Sequence, residues 1–360
     1  MRIIFSAGGT GGHLYPALAL ADYITKHSNS EVLFVGSMYR IEATKVAEYG
    51  YGFIGLDIQT PSGSILKKIK GYSDVFSNVK KCEKIIKDFQ PDVVIGFGGY
   101  TSYSILKAAQ NKKIPTILHE QNSVIGKSNK VLASKVEALI TSYDIQDQVN
   151  LDNVYCLGNP TSYHVMQSGV ANLNDYGLSN DKKTVLVVMG SQGSQTIDNI
   201  MFELLSDLNN IDYQLIYISG PDYYERYQAL RLPSNVKVIS YENKLTSLIK
   251  ACDLIVSRAG ASALTEIISA NKPAILIPSI HVTNNHQYFN AKSMVDVKCA
   301  LLCEENDALQ HNLLKEITTL INDDFSLINM AKQTKVFRYN DSAMNIYNLI
   351  KKIVGDKDEE

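Results

Sequence analysis

Apolar residues fall along this chain in short unbroken runs, and between the runs they recur at helical spacing. Ile3, Ile4 and Phe5 fill the run Arg2 to Ser6, and similar runs follow at Glu31 to Val35, Asp92 to Ile95 and Ile114 to Leu118. The pattern then breaks at Gly158-Asn159-Pro160. It restarts with Lys183 to Met189, Tyr213 to Ser219, Val236 to Ser240, Leu254 to Val256 and Ala274 to Ile277. Such runs predict buried strands, and the stretches from about Pro16 to Thr25, Ser104 to Ala109, Ile197 to Leu208 and Ser342 to Val354 predict helices. Strand alternating with helix, twice over, predicts an α/β protein of two Rossmann-like domains with parallel sheets facing across a cleft. The expected boundaries are 1–160, joined by the last helix 342–354, and 161–335. A fraying tail follows at Gly355 to Glu360.

What joins each leading strand to its helix carries the chemistry. The first run enters Ala7-Gly8-Gly9-Thr10-Gly11-Gly12-His13, and the strand at Asp92 enters Gly96-Phe97-Gly98-Gly99-Tyr100-Thr101-Ser102. In the second half, Lys183 to Met189 enters Gly190-Ser191-Gln192-Gly193-Ser194. Glycines there permit backbone paths and close approaches that side chains forbid, the order used to cradle phosphate. The dinucleotide pattern is absent. The sixth position counted from Gly9 is Leu14, and the second strand ends in Gly36-Ser37 rather than an acid.

The stretch from Ser257 to Asn290 adds a sugar signature. A small-residue turn, Ser257-Arg258-Ala259-Gly260, opens a helix whose N-terminus suits an anion. One turn in stands Glu266, a carboxylate suited to accept hydrogen bonds from sugar hydroxyls. The following run Asn284-Asn285-His286-Gln287-Tyr288-Phe289-Asn290 offers neutral amides. An ordinary capped strand-turn-helix unit would share this spacing, and the three other glycine turns favour the ligand reading.

Composition narrows the rest. The 360 residues, 45% of them hydrophobic, suffice for two cores, and a formal charge of -2 gives no pull towards nucleic acid. Five cysteines, Cys82, Cys156, Cys252, Cys299 and Cys303, lack paired zinc spacing and fit reduced thiols in an intracellular protein. No apolar run approaches the roughly 18 residues of a membrane span, so membrane contact is expected to be peripheral. Between Ser64 and Lys87, Leu66, Ile69, Tyr72, Phe76 and Val79 interleave with seven lysines: 67, 68, 70, 80, 81, 84 and 87. That stretch is either a headgroup-plane helix or an ordinary surface helix, with Gly71 arguing for a break.

Gly8-Gly9-Thr10-Gly11-Gly12-His13, Gly98-Gly99-Tyr100, His119-Glu120-Gln121-Asn122, Gly190-Ser191-Gln192-Gly193 and Arg258-Ala259-Gly260 stand in one order and spacing. On these motifs the chain resembles the MurG family, bacterial enzymes that move N-acetylglucosamine from UDP-N-acetylglucosamine onto lipid I in peptidoglycan synthesis. The resemblance implies the GT-B glycosyltransferase fold, with acceptor held mainly by the first domain and donor by the second. It places Thr10, Gly11, Gly12, Tyr100 and Asn122 among the substrate-binding residues and Ser191 at the diphosphate. Gly260, Ala261, Ser262, Ala263, Leu264 and Thr265 match the nucleotide turn, Glu266 the ribose acid, Gln287 an amide on the sugar, and Glu242 a backbone contact to uracil. The implied partners are the UDP-sugar, the undecaprenyl-diphosphate-linked N-acetylmuramyl-peptide and the anionic cytoplasmic face of the membrane, with no nucleic acid.

Departures touch affinity more than reaction type. Thr161-Ser162 stands where the family carries an arginine, Met189 where a glycine is common, and Pro61-Ser62-Gly63-Ser64 where a Ser-Gly-Lys run is usual. No cofactor or metal is expected, since the only Asp-X-Asp sequence, Asp356-Lys357-Asp358, lies in the tail. For the base that activates the acceptor hydroxyl, His13 is the first choice and Glu120 the reserve, with His119 and His286 as hydrogen-bond donors. A UDP-N-acetylglucosamine 2-epimerase, a diacylglycerol glycosyltransferase and a non-catalytic sugar-nucleotide module are the competing readings.

Overall fold

The computed structural model describes residues 1–58, 65–190, 193–208, 211–306, 309–337 and 339–355, without side chains at 65–73, 75–76, 283, 309–311 and 340. Ser191, the Pro61-Ser62-Gly63-Ser64 run and the Asp356-Lys357-Asp358 tail therefore lie outside the described residues, as do the side chains of Leu66, Ile69, Tyr72 and Phe76. The chain divides into two compact units, Met1–His164 with Tyr339–Glu360, and Val165–Arg338.

The first unit runs β1 (Arg2–Ser6), α1 (Gly11–His27), β2 (Glu31–Ser37), α2 (Glu42–Glu48), β3 (Gly52–Leu56), α3 (Ile65–Phe89), β4 (Val93–Gly96) and α4 (Tyr100–Asn111). It continues with β5 (Thr116–Glu120), α5 (Lys127–Leu132), β6 (Ala138–Thr141), β7 (Val154–Cys156) and α6 (Thr161–Gln167), the last crossing the boundary. Its seven strands are parallel in the order β3-β2-β1-β4-β5-β6-β7. The central strands β1 and β4 are almost wholly inaccessible, because helices on both faces of a parallel sheet demand apolar side chains in both directions. Phe5 lies between Phe34 and Phe97, with ring centroids at 5.3 and 6.1 Å.

Helix α1 begins at Gly11, not near Pro16. Glycine is a poor helix former and proline favours a first turn, so local preference points to Pro16. Yet the backbone N–H groups of His13 and Leu14 both donate to the Thr10 carbonyl, so the turn closes at once. The second unit runs β8 (Thr184–Val188), α7 (Gln195–Ser206), β9 (Gln214–Ile218), β10 (Val236–Ile239), α8 (Leu245–Ala251) and β11 (Leu254–Ser257). There follow α9 (Ala261–Ser269), β12 (Ala274–Leu276), α10 (His286–Asp296), β13 (Ala300–Leu302), α11 (Leu309–Ile321) and α12 (Asp324–Gln333). Its sheet is parallel too, in the order β10-β9-β8-β11-β12-β13. Val187, Tyr217 and Val256 share its core with Leu313 and Ile317 of α11.

The chain then returns to the first unit as α13 (Ser342–Val354). Ala343, Ile346, Tyr347 and Ile350 form one stripe on α13 and join Ile3, Leu14 and Leu18 in the first unit's core. Full burial of Ile346 and Ile350 is worth about 1.5–3 kcal/mol each. Gly355, at φ +73°, ends the helix in the left-handed conformation that a side chain would disfavour.

Candidate functional site

Open parallel sheets bind ligands where the strand order reverses, beyond the carboxyl ends of the strands. In the first unit that point lies between β1 and β4, whose following loops are the first two glycine turns. These loops pack so closely that glycine is required. A Cβ on Gly99, already at φ +86°, would come within 2.8 Å of the Gly8 carbonyl oxygen, and one on Gly8 would collide with Thr101 Oγ1.

His13 lies in the first turn of α1, beyond Gly11 and Gly12, with Thr10 as the exposed residue before it. Its Nδ1 is 2.9 Å from the Gly8 carbonyl oxygen, which can only accept, so Nδ1 carries the proton. The neutral ring then has its lone pair on Nε2, for which the described residues provide no partner. Nε2 lies over Gly98: a Cβ there would stand 3.1 Å from it. Glycine at 98 keeps that nitrogen open. Tyr100 heads α4, partly buried, directly after Gly99.

His119 and Glu120 prove to be the last two residues of β5 rather than a loop beyond it, paired with Ile140 and Thr141. His119 is fully buried against Phe97, its Nε2–H donating to the Gly158 carbonyl at 3.0 Å and its Nδ1 accepting from Gln121. Burial pushes its pKa down to about 4, keeping the ring neutral. Glu120 corrects an expectation. Its Oε1 accepts from the backbone and side-chain N–H groups of Asn122, and its Oε2 accepts from Gly126 N at 2.8 Å and Asn129 Nδ2 at 2.9 Å. With both oxygens committed and 2% of the residue exposed, Glu120 organises the turn that presents Asn122 and has no room to take a substrate proton.

Glu42 was missing from the sequence reading altogether. It stands in no motif, yet it is 1% exposed and accepts from Ser37 N at 3.0 Å and Gly9 N at 3.3 Å, tying the first glycine loop to the end of β2.

In the second unit the strand order reverses between β8 and β11, which lead into the third glycine loop and the Arg258-Ala259-Gly260 turn. Arg258, buried, donates to Glu305 at 2.6 Å, to Ser194 Oγ at 2.7 Å and to the Ile277 carbonyl at 3.1 Å, binding the two loops into one frame. The Arg258 guanidinium and Thr196 hold the Glu305 carboxyl below its ordinary range against the upward push of burial. Asn290, also buried, donates to the Ala259 carbonyl. Beyond Gly260, the Leu264 side chain is in the core, its N–H donates to the Gly260 carbonyl, and the Thr265 hydroxyl donates back to the Ala261 carbonyl, so neither side chain is presented to a ligand. Ser262 Oγ is buried with no partner among the described residues.

Glu266 is partly buried, its carboxylate makes no hydrogen bond or ion pair among the described residues, and burial pushes its carboxyl up to about 7. Gln287 accepts from Ser279 N through Oε1 at 2.9 Å, which turns its amide N–H groups into available donors. The Glu242 carboxylate accepts from Tyr176 OH and Lys244 N, both at 2.6 Å, so its side chain is engaged within the protein. No three His, Cys, Asp or Glu side chains among the described residues gather as metal ligands would.

Two glycine-loop units of this kind, one offering an open imidazole and the other an unpaired carboxylate with amide donors, describe the GT-B class of glycosyltransferases. Residues 3–141 match the glycosyltransferase family 28 N-terminal domain and residues 184–346 the family 28 C-terminal domain, and the chain belongs to that family. It is 38% identical over 367 residues to the UDP-N-acetylglucosamine--N-acetylmuramyl-(pentapeptide) pyrophosphoryl-undecaprenol N-acetylglucosamine transferase of Leuconostoc citreum, covering 99% of this chain and 100% of the relative. Among solved structures, MurG of Acinetobacter baumannii superposes with a TM-score of 0.78 at 24% identity, over 98% of this chain and 99% of that one. The UDP-GlcNAc 2-epimerase of Neisseria meningitidis gives 0.68 at 15%, over 98% and 100%. Fold alone thus spans transferase and epimerase, and the sequence relationship separates them.

Proposed function

We propose that this chain is an inverting glycosyltransferase that moves N-acetylglucosamine from UDP-N-acetylglucosamine to the C4 hydroxyl of the N-acetylmuramyl sugar of lipid I, yielding lipid II. The observation that carries the reaction is the 38% identity to a transferase of that activity along its whole length. Residues 1–160 with 342–354 would hold the acceptor and 161–335 the donor.

The chemistry follows from the groups described above. His13 Nε2 removes the proton from the acceptor hydroxyl as its oxygen bonds to the anomeric carbon, and the bond from that carbon to the diphosphate oxygen breaks with its electron pair leaving on UDP. Backbone N–H groups at the start of α9, with Ser191 from the third loop, stabilise the charge growing on the diphosphate without reorganising. Glu266 accepts from the ribose hydroxyls, Gln287 donates to the N-acetylglucosamine, the backbone at Glu242 meets the uracil, and Thr10, Gly11, Gly12, Tyr100 and Asn122 complete the substrate contacts. Contact with the membrane is peripheral, at its anionic cytoplasmic face. No helix among the described residues is long and apolar enough to cross a membrane, and the lysine-rich stretch within α3 supports docking.

Release of UDP measured with and without a lipid I analogue tests the reading. Release that depends on the analogue is expected. Conversion of the donor to its C2 epimer with no acceptor present would replace the transferase reading with the epimerase one, and donor binding without any turnover would leave a binding module.

A further inference from the structure

The contacts of Glu42 and His13 meet on one peptide group. The N–H that donates to Glu42 Oε2 belongs to Gly9, and the carbonyl that accepts from His13 Nδ1 belongs to Gly8. Those two atoms are opposite ends of the same planar amide. A buried carboxylate therefore faces the imidazole through a peptide bond, its Oε1 fixed by Ser37 N and its Oε2 by Gly9 N.

We propose that Glu42 is a positioning residue for the transfer reaction, acting on His13 through the Gly8–Gly9 peptide. Three physical effects run in the same direction. Accepting from Gly9 N–H orients the amide plane, so the Gly8 oxygen is aimed at Nδ1 and selects the tautomer that leaves the Nε2 lone pair open. Hydrogen-bonding at one end of an amide polarises it, which strengthens acceptance at the other. The carboxylate's charge also stabilises the imidazolium that forms when Nε2 takes the proton.

The local sequence is fitted to this path. Gly9 has φ +90°, unfavourable for any other residue, and a Cβ on Gly8 would come within 3.0 Å of Glu42 Oε1 as well as striking Thr101. On Gly36, a Cβ would fall 2.7 Å from Glu42 Cγ. Glycines on the first loop and near the end of β2 thus admit the carboxylate to the peptide's edge.

The inference rests on His13 as base, and the test keeps the two apart. Glu42→Gln places an NH₂ group against one of two N–H donors, so one contact must fail. It is expected to lower kcat roughly 10- to 100-fold, the cost of a misplaced catalytic group, with donor KM unchanged. In a His13→Ala background the same change should cost less than about twofold, because residues acting as a unit are not additive. An equal loss in both backgrounds overturns the proposal and leaves Glu42 a structural residue. No loss from His13→Ala alone overturns the assignment of the base instead. Should Glu42→Gln not fold, the unmodified protein still decides: ¹⁵N resonances of labelled histidine are expected to show His13 protonated on Nδ1, and an Nε2–H tautomer would refute the path.

Discussion

Ser162 donates its hydroxyl proton to the Tyr339 carbonyl oxygen at 2.6 Å, joining positions 177 apart where the chain leaves the first unit and where it returns. Tyr339 is held again through its own hydroxyl, which donates to the Ser142 carbonyl at 2.6 Å, and its ring packs on Gly158, where any Cβ would come within 2.6 Å. The serine found in place of the family's arginine is thus wholly buried and engaged in anchoring the crossover. Its side chain has no free donor for a nucleotide, so in the proposed reaction the donor contacts fall to Glu266, Gln287 and the backbone around Gly260.

Glu266→Ala should accordingly weaken donor binding by about 1.5 to 3 kcal/mol, the range for hydrogen bonds to a charged group. Titration calorimetry with UDP-N-acetylglucosamine reads this directly, and unchanged affinity in a folded variant would remove Glu266 from the site.

The same carboxyl makes a statement about stability. Its folded pKa of about 7 exceeds the unfolded value, so the folded state binds the extra proton and stability falls as pH rises from about 4.5 to 7. Glu266→Gln should raise Tm at pH 8, by the equivalent of roughly 1–3 kcal/mol, and the gain should shrink towards pH 5. A constant gain across that range would contradict the assignment.

His119 works in the opposite sense. Its folded pKa of about 4 lies below the ordinary imidazole value of 6.5, so the unfolded state takes up the proton first and stability is lost as pH falls from 6.5 to 4. Denaturant melts of wild type and His119→Gln should converge as pH drops through this window, with wild type ahead at pH 7. Parallel curves would mean that His119 does not titrate on unfolding.

Turnover should survive chelation, since backbone N–H groups and a helix N-terminus are assigned the diphosphate charge. Most of the rate should persist in EDTA. Complete loss restored by magnesium or manganese would transfer that task to a metal.

Membrane capture is expected to depend on the lysines of α3, each contributing about 1 kcal/mol near an anionic surface. Replacing Lys67, Lys68 and Lys70 with Glu should abolish sedimentation with anionic vesicles at low salt while leaving UDP-sugar binding intact. Normal sedimentation of the triple variant would move the docking surface elsewhere.

The glycine loops were legible because a glycine forced by φ or by close approach leaves its mark at a single position, as Gly9, Gly98 and Gly99 do. Buried strands were legible for a similar reason, since apolar runs have few other uses. Where contacts decided between options, the letters were silent. Nothing in Ile41-Glu42-Ala43 announces a carboxylate folded back onto Gly9, and the His119-Glu120 pair reads as a free polar tip until the four donors around Glu120 are seen. The start of α1 was displaced because its first turn closes on the Thr10 carbonyl despite the poor helix propensities of Gly11 and Gly12.

One consequence of the returning helix concerns synthesis on the ribosome. Ile346 and Ile350 complete the core that Ile3 and Phe5 begin, but they are translated only after all of Val165–Arg338. The amino-terminal unit has all the strands of its own sheet once Cys156 is made, but the apolar residues of α1 that pack with α13 lack that cover until Val165–Arg338 has been added. Vectorial production thus leaves the unit begun first to be completed last, and a nascent chain paused before Ser342 exposes apolar surface that chaperones bind.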